Sequence, residues 1–398
     1  LFYLLMQNVK TGLTIQRRYN MSTILVFNIG SSSVKFDVFD TKIEKIVFKG
    51  SLERVLSISL ALKEVSKQLE EENHLSFDAI AHRVAHGGKH FKQACFIDES
   101  VVSAIKDCSN LAPLHNPPAL EGILSAKEHW PSAQQVAVFD TAFHQSIPAY
   151  AYTYAVPQKW RDLGVRRYGF HGTSHVYVFE KACHELNFPL DNNRIISCHL
   201  GNGASICAIK NGKSIDTSMG MTALEGLVMG TRSGDVDPGM FYYLETNLGM
   251  SISQIQNDLY HESGLKALSG CGNDMRDIQA HALKGNKQAQ LALEVYAYRV
   301  KKYIGSYAAS LNGIDALIFT GGVGENSSYM RSMICQGLEF MGLEIDDSKN
   351  QKVTLKEDNI EMVQTSSSPV KILVIKTKED WMIAKEAKKL LEGARVCP

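Results

Sequence analysis

Two similar glycine-led turns, far apart in the chain, constrain the fold more than any other feature. The first lies in Val26-Phe27-Asn28-Ile29-Gly30-Ser31-Ser32-Ser33-Val34-Lys35-Phe36. The second lies in Ile196-Ser197-Cys198-His199-Leu200-Gly201-Asn202-Gly203-Ala204-Ser205-Ile206. Each has an apolar run, one polar residue, one apolar residue, a small-residue turn led by glycine, and a second apolar run. That order reads as strand, tight turn, strand. Small residues at the tip expose backbone N–H groups, and such groups cradle phosphate. Two copies of the unit predict a duplicated fold that closes on one nucleotide from both sides.

The rest of the chain reads as α/β. Strand-like runs cover Thr23 to Phe27, Val34 to Phe39, Ala79 to Arg83, Gln135 to Phe139, Arg194 to Leu200, Ser205 to Lys210, Ala316 to Thr320 and Val370 to Ile375. Helix-like stretches lie between them, at Leu60 to Glu72, Lys287 to Ser310 and Lys378 to Leu391. This alternation argues layered α/β structure, and a hairpin at each glycine turn makes the sheets mixed. A chain of 398 residues implies two or three domains. No low-complexity linker divides it, and Pro148 and Pro157 place a boundary near Ile147 to Val156. The stretch Leu248 to Gly270 reads as helix and loop.

Charge excludes some functions. The 42 basic and 42 acidic residues balance, so no global field favours nucleic acid or an anionic membrane surface. No apolar run approaches the roughly 20 residues that span a bilayer. None of the eight cysteines sits in a CxxC pair, which argues against zinc. A long chain without a secretion signal favours free thiols and a cytoplasmic location. Residues 1–20 open on Leu1 and carry Lys10, Arg17 and Arg18 without an acid. They faintly resemble a transit peptide, but upstream sequence with Met21 opening the domain is the preferred reading. The segment is expected to be a disordered or non-native extension.

Two tempting motifs fail. Asn211-Gly212-Lys213-Ser214 ends like a Walker loop, but the required earlier glycine is Cys207, so it reads as an Asn-Gly hairpin. Gly201-Asn202-Gly203 lacks the third glycine of a dinucleotide fingerprint, since Ile206 stands there. The chemistry lies in other clusters: Ala81 to Gly88 after a strand, Ala112 to Pro118 as a rigid loop, and Val138 to His144 with Asp140 at a strand end. Tyr168 to His175 opens a helix, Gly230 to Asp235 sets Arg232 among glycines, and Phe319 to Asn326 reads as strand, glycine turn, helix. Singly, Arg83 could be a salt-bridge partner, the histidines core residues and Asp140 a helix cap. Together they place polar residues at strand ends beside glycine, where ligand sites gather.

With these clusters in order, the chain resembles the acetate kinase family, within the actin, sugar-kinase and Hsp70-like superfamily. The resemblance runs from about Ile24 to Ala384. It implies a two-domain actin-like ATPase (ribonuclease H-like) α/β fold with a duplicated mixed-sheet core. One domain would take residues 21–150 plus 383–398, the other 151–382, with the final helix returning to the first. ATP and Mg²⁺, with Mn²⁺ as an alternative, would bind in the cleft, and the protein would be a homodimer. By the same resemblance Asn28 and Glu379 match metal positions, and Ser31, Ser33 and Lys35 the first phosphate loop. His199, Leu200, Gly201, Asn202 and Gly203 match the second. Asp274, Met275, Arg276, Gly322, Val323, Gly324, Glu325 and Asn326 match the nucleotide pocket. Arg83 matches the substrate-holding arginine, Asp140 the catalytic acid, His171 and Arg232 transition-state stabilisers, and His115 a further active-site histidine. Ala85, Leu114, Phe170 and Ala223 match the acyl pocket. The usual Thr-Asn-Glu-Glu is here Thr377-Lys378-Glu379-Asp380, which sets a positive charge beside the presumed metal carboxylate.

The implied reaction moves the γ-phosphate of ATP to acetate. A carboxylate is already ionised at neutral pH, so it needs no general base. The barrier is the approach of one anion to another, and positioning with charge neutralisation lowers it. Asp140 then organises metal-bound water or an arginine and accepts no proton. Acetate-preferring relatives carry Val and Pro where this chain has Ala85 and Ala223, so a roomier pocket and propionate are the close alternative. A non-catalytic nucleotide sensor of the same fold would not need Arg83, His171 and Arg232. A sugar or glycerol kinase would need a hydroxyl pocket and a true base.

Overall fold

The computed structural model describes residues 23–72, 74, 76–356 and 360–393. The extension read over residues 1–20, Met21 and Cys397 lie outside them. Among the described residues, twelve strands form two six-stranded sheets with the same internal plan. The first holds β1 (Thr23–Ile29), β2 (Ser33–Asp40), β3 (Lys45–Glu53), β4 (Ala79–Val84), β5 (Cys95–Phe96) and β6 (Gln134–Phe139), in the order β3-β2-β1-β4-β6-β5. The second holds β7 (Arg194–Leu200), β8 (Ala204–Lys210), β9 (Lys213–Thr217), β10 (Ala316–Thr320), β11 (Ile360–Met362) and β12 (Lys371–Ile375), in the order β11-β12-β10-β7-β8-β9. In each, an antiparallel meander of three strands continues into two parallel strands and an antiparallel edge. The duplication read from the glycine turns is therefore present strand for strand.

The register carries the repeat down to single residues. Asn28 faces Lys35 across the first hairpin, and His199 faces Ser205 across the second. Strands β7 and β8 are buried almost throughout, as expected of a sheet covered on both faces. One cover is the helix Lys287–Leu311, capped at its start by Asn286 and ended by left-handed Asn312. The C-terminal helix Glu379–Gly393 packs Ile383, Ala384, Ala387 and Leu391 on Ile24, Val26, Ala79 and Val136 of the first sheet.

Four strands escaped the sequence reading. β3 alternates exposed and intermediate residues and buries none, so it offers no apolar run; its lysines suit an edge. β5 and β11 have only two and three residues, and β9 (Lys213-Ser214-Ile215-Asp216-Thr217) has a single apolar residue. Asn211 and Gly212 take φ of +54° and +73° between β8 and β9, which is the hairpin turn expected there. The stretch 248–270 holds the helices Ile252–His261 and Gly264–Ser269. Among the described residues, no helix is long and apolar enough to cross a membrane.

Candidate active site

The C-terminal ends of β4 and β6 face a small cavity of about 40 Å³. Ala85, Leu114, Phe170 and Ala223 line it, together with Arg83, His115, Asp140, His171 and Arg232. Every expected catalytic and acyl-pocket residue thus meets in one place. Ala112 and Pro113 of the rigid loop also line it, as do Leu111 and Tyr260, which were not foreseen; Tyr260 lies in a stretch with no motif. The space holds roughly three to four heavy atoms.

Parallel pairing brings the charged groups together. β4 lies beside β6, and the Asp140 N–H donates to the Val84 carbonyl at 3.0 Å. Arg83 Nε donates to Asp140 Oδ1 and Oδ2 at 3.1 and 3.2 Å, and its Nη2 to Oδ2 at 2.7 Å. Its Nη1 donates to Asn28 Oδ1 at 3.2 Å. Asp140 is 1% exposed, so its role visible here is to fix Arg83. Arg232 is different. Its Nη1 donates to the Ala223 carbonyl at 3.0 Å and lies 3.8 Å from Met229 Sδ, with no carboxylate partner among the described residues. Burial pulls its pKa below the ordinary arginine value.

His171 is the left-handed residue (φ +58°) that starts the helix Gly172–Leu186. The Gly172 N–H donates to the Asp140 carbonyl at 2.9 Å, and a Cβ at Gly172 would stand 2.3 Å from that oxygen. Glycine alone lets the helix start this close to Asp140. The His171 ring stacks on His199 with centroids 4.3 Å apart. Burial, with Arg83 and Arg232 nearby, brings the pKa of His115 down to about 4. Burial and Arg83 do the same for His199. Both are neutral at physiological pH. His144 is buried between Ser214 Oγ and the Phe170 carbonyl and supports the cavity wall from behind.

A second cavity, about 720 Å³, opens beside the first and is lined by Asn28, Lys35, His199, Lys378, Glu379 and Asp380. Glu379 lies 3.7 Å from Arg83 Nη2. Burial pushes its carboxyl up to about 7; Arg83 opposes this, and Asp140 and Asp380 reinforce it. Asn28 Nδ2 donates to Asp380 Oδ1 at 3.5 Å, which brings in an oxygen donor the motif comparison had not named. Two neighbouring carboxylates lining this cavity, Glu379 and Asp380, fit Mg²⁺, which takes one or two protein carboxylates and leaves its other positions to water and phosphate. Among the described residues no group of three or more His, Cys, Asp or Glu is arranged to hold a metal alone. The raised Glu379 pKa also has a stability consequence. Between about 4.5 and about 7 the folded metal-free protein keeps a proton the unfolded chain has lost, so this group's contribution falls as pH rises through that window. Urea unfolding of metal-free wild type at pH 5 and pH 8 should show the fall, and Glu379→Gln should flatten it. An equal slope in both proteins removes Glu379 as its source.

A third cavity, about 730 Å³, lies on the other side of the second hairpin. Gly201, Asn202, Asp274, Met275, Arg276, Gly322, Val323 and Asn326 line it, with Gly230, Asn273 and Gln279. Its volume is in the range of nucleotide-sized sites. Not every residue carried over reaches it. Leu200 is fully buried in the core of the second sheet. Gly324 packs against Phe319 and the Cys198 carbonyl. Glu325 Oε1 accepts from the Gly321 and Thr377 N–H groups at 3.0 and 2.9 Å, so it ties the loop down. Ser31 and Ser33 line none of the three cavities. Gly203 stands between the cavities, beside His171 and Arg232. Buried Arg331, invisible to motif reading, donates to the Gly324 and Glu325 carbonyls at 2.9 Å and holds this wall.

A duplicated actin-like α/β fold, with cationic and imidazole side chains between a small cavity and a nucleotide-sized one, defines a kinase. The chain belongs to the acetokinase family, whose family model matches residues 53–385. It is 45% identical over 403 residues to an acetate kinase of Caldanaerobacter subterraneus, covering 94% of this chain and all of that one. Its fold is similar to the crystal structure of Porphyromonas gingivalis acetate kinase, with TM-score 0.87 and 39% identity over 93% of this chain and all of that one. A propionate kinase from Francisella tularensis is also similar, with TM-score 0.86 and 42% identity over 92% of this chain and 99% of that one.

Proposed function

We propose that this protein transfers the γ-phosphate of ATP reversibly to acetate, giving acetyl phosphate and ADP. The cavity of about 40 Å³, apolar on one wall and cationic on the other, carries this reading. A small carboxylate fits there with its methyl against Ala85, Leu114, Phe170 and Ala223. Its oxygens face Arg83. Arg232 then neutralises the equatorial oxygens of the group in flight and His171 donates a hydrogen bond to them, while Asp140 holds Arg83 in place. Bound Mg²⁺, at Asn28 and Glu379, would screen the nucleotide phosphates. The third cavity would take the nucleotide. A hydroxylamine trap for acyl phosphate, with ATP, Mg²⁺ and acetate, propionate, butyrate or glycerol in parallel, tests this. Product with acetate supports it; product only with glycerol, or none, contradicts it.

Propionate is the second reading, because both Ala85 and Ala223 face the cavity. A methylene is worth roughly 1–3 kcal/mol, or about 10–200-fold, in discrimination. Ala85→Val should lower the propionate-to-acetate ratio of kcat/KM within that range, and an unchanged ratio rejects the pocket assignment.

We further propose domains at 21–150 plus 383–398 and at 151–382, each built on one sheet, and a cytoplasmic location. The proposed homodimer would cover the helix Gly239–Leu248. That helix buries no residue, and its Tyr242 and Leu248 are 73% and 65% exposed, an apolar surface of the kind interfaces use. Sedimentation velocity reads it: a Tyr242→Asp, Tyr243→Asp variant should sediment as a monomer and wild type as a dimer.

A further inference from the structure

Behind His171 runs a series of buried hydroxyls and imidazoles. His171 Nδ1 is 2.9 Å from Ser205 Oγ, Ser205 Oγ is 2.8 Å from His175 Nε2, and His175 Nδ1 is 3.0 Å from Ser197 Oγ. Ser197, His175 and Ser205 are fully buried. Helix and sheet bring them together. The His175 N–H donates to the His171 carbonyl at 3.0 Å, so the two rings sit one turn apart on the same helix face. Ser197 and His199 alternate on β7, and Ser205 faces His199 from β8, so all three point to the same side of the sheet. Ser205 holds the place in its hairpin that Lys35 holds in the first.

Counting hydrogens gives this chain a direction. Burial, helped by neighbouring histidines, holds the pKa of both His171 and His175 well below the ordinary value, so each neutral ring carries one N–H. The Ser197 hydroxyl makes no other hydrogen bond among the described residues, so its hydrogen goes to His175 Nδ1. The His175 proton is then on Nε2 and is donated to Ser205 Oγ. The Ser205 hydrogen goes in turn to His171 Nδ1, which leaves His171 with its proton on Nε2. Run the other way, the chain would bury the Ser197 hydrogen without an acceptor. It would also aim a lone pair from His171 Nε2 at incoming phosphate. That nitrogen lies beside the second hairpin: a Cβ on Gly203 would stand 3.5 Å from it and 3.7 Å from Arg232 Nη1.

We propose that Ser197, His175 and Ser205 form a directed hydrogen-bond relay that locks His171 in its Nε2–H tautomer, as a neutral donor to the transferring phosphoryl oxygens. Ser205 and His175 are positioning residues that act through His171. The proposal rests on the reading that His171 faces that phosphoryl group. The test is long-range ¹H–¹⁵N NMR of the full chain labelled at histidine, with His171 assigned through His171→Asn. Both His171 and His175 should be neutral Nε2–H tautomers in the wild-type protein. Ser205→Ala should shift His171 towards Nδ1–H and lower kcat by about 10- to 100-fold, with KM for ATP and acetate close to wild type. Ser205→Thr should restore tautomer and rate. An Nδ1–H tautomer at His171 in wild type overturns the relay before any variant is made, and so does an unchanged kcat in Ser205→Ala. The two claims separate through His171→Asn. Normal turnover in that variant removes His171 from the mechanism, whereas slow turnover beside a normal Ser205→Ala removes only the relay.

Discussion

Arg232→Ala lowers turnover by roughly 10³-fold or more, the scale set by arginines that neutralise a phosphoryl group in flight. The reason is visible in its bonding. The guanidinium reaches a backbone carbonyl and a thioether and has no carboxylate partner among the described residues, so no acid cancels its charge. Burial weakens its hold on the proton, which means the folded protein carries this cation at a cost that binding an anion offsets. Removing it should therefore leave stability unchanged or slightly higher while the rate collapses. Arg232→Lys keeps the charge but not the planar fork, and recovers only part of the rate. Steady-state kinetics with urea unfolding of the same variants reads both quantities. Near-normal turnover in Arg232→Ala would exclude it from the chemistry.

Asp140→Ala does the opposite to stability. Asp140 is 1% exposed and receives three contacts from Arg83 within 3.2 Å. Taking away one partner of a buried pair leaves an uncompensated charge and costs about 3–5 kcal/mol. The Arg83 side chain keeps 21% of its exposure and has Glu379 at 3.7 Å, so the loss should fall near the lower end. Turnover should fall as well, because Arg83 loses the group that orients it. Asp140→Asn keeps one acceptor and the volume, and should lose less stability than Asp140→Ala. Equal stability of wild type and Asp140→Ala, measured by urea unfolding, would contradict the pairing.

How much of this was legible before the structure depends on the kind of signal. The two hairpins were legible because a strand, a glycine turn and a second strand are local in sequence, and the register of Asn28 with Lys35 and His199 with Ser205 follows from them. The edge strand Lys45–Glu53 was not, since it buries no residue and so shows no apolar run. Arg83 and Asp140 stood out as polar residues at strand ends, but their mutual contact depends on two strands pairing in parallel, which no local pattern reports. Glu325 sits inside a motif that suggests ligand contact, and the bonding of its Oε1 to the backbone N–H groups of Gly321 and Thr377 joins segments that no local pattern connects. Tyr260 and Arg331 stand in no motif, and Ser205, although part of the second glycine hairpin, shows its partners only once the helix Gly172–Leu186 packs on that sheet.

The central claim is that Arg83, Arg232 and His171 remove the repulsion between a small carboxylate and the terminal phosphate of a nucleotide. A crystal structure with ADP, Mg²⁺, aluminium fluoride and acetate tests it most directly. The account predicts the planar fluoride between the acetate and ADP, with donors from Arg232 and His171 Nε2 within about 3 Å of its ligands and Arg83 on the acetate oxygens. A closed cleft in which Arg83 and Arg232 both point away from the fluoride would contradict it.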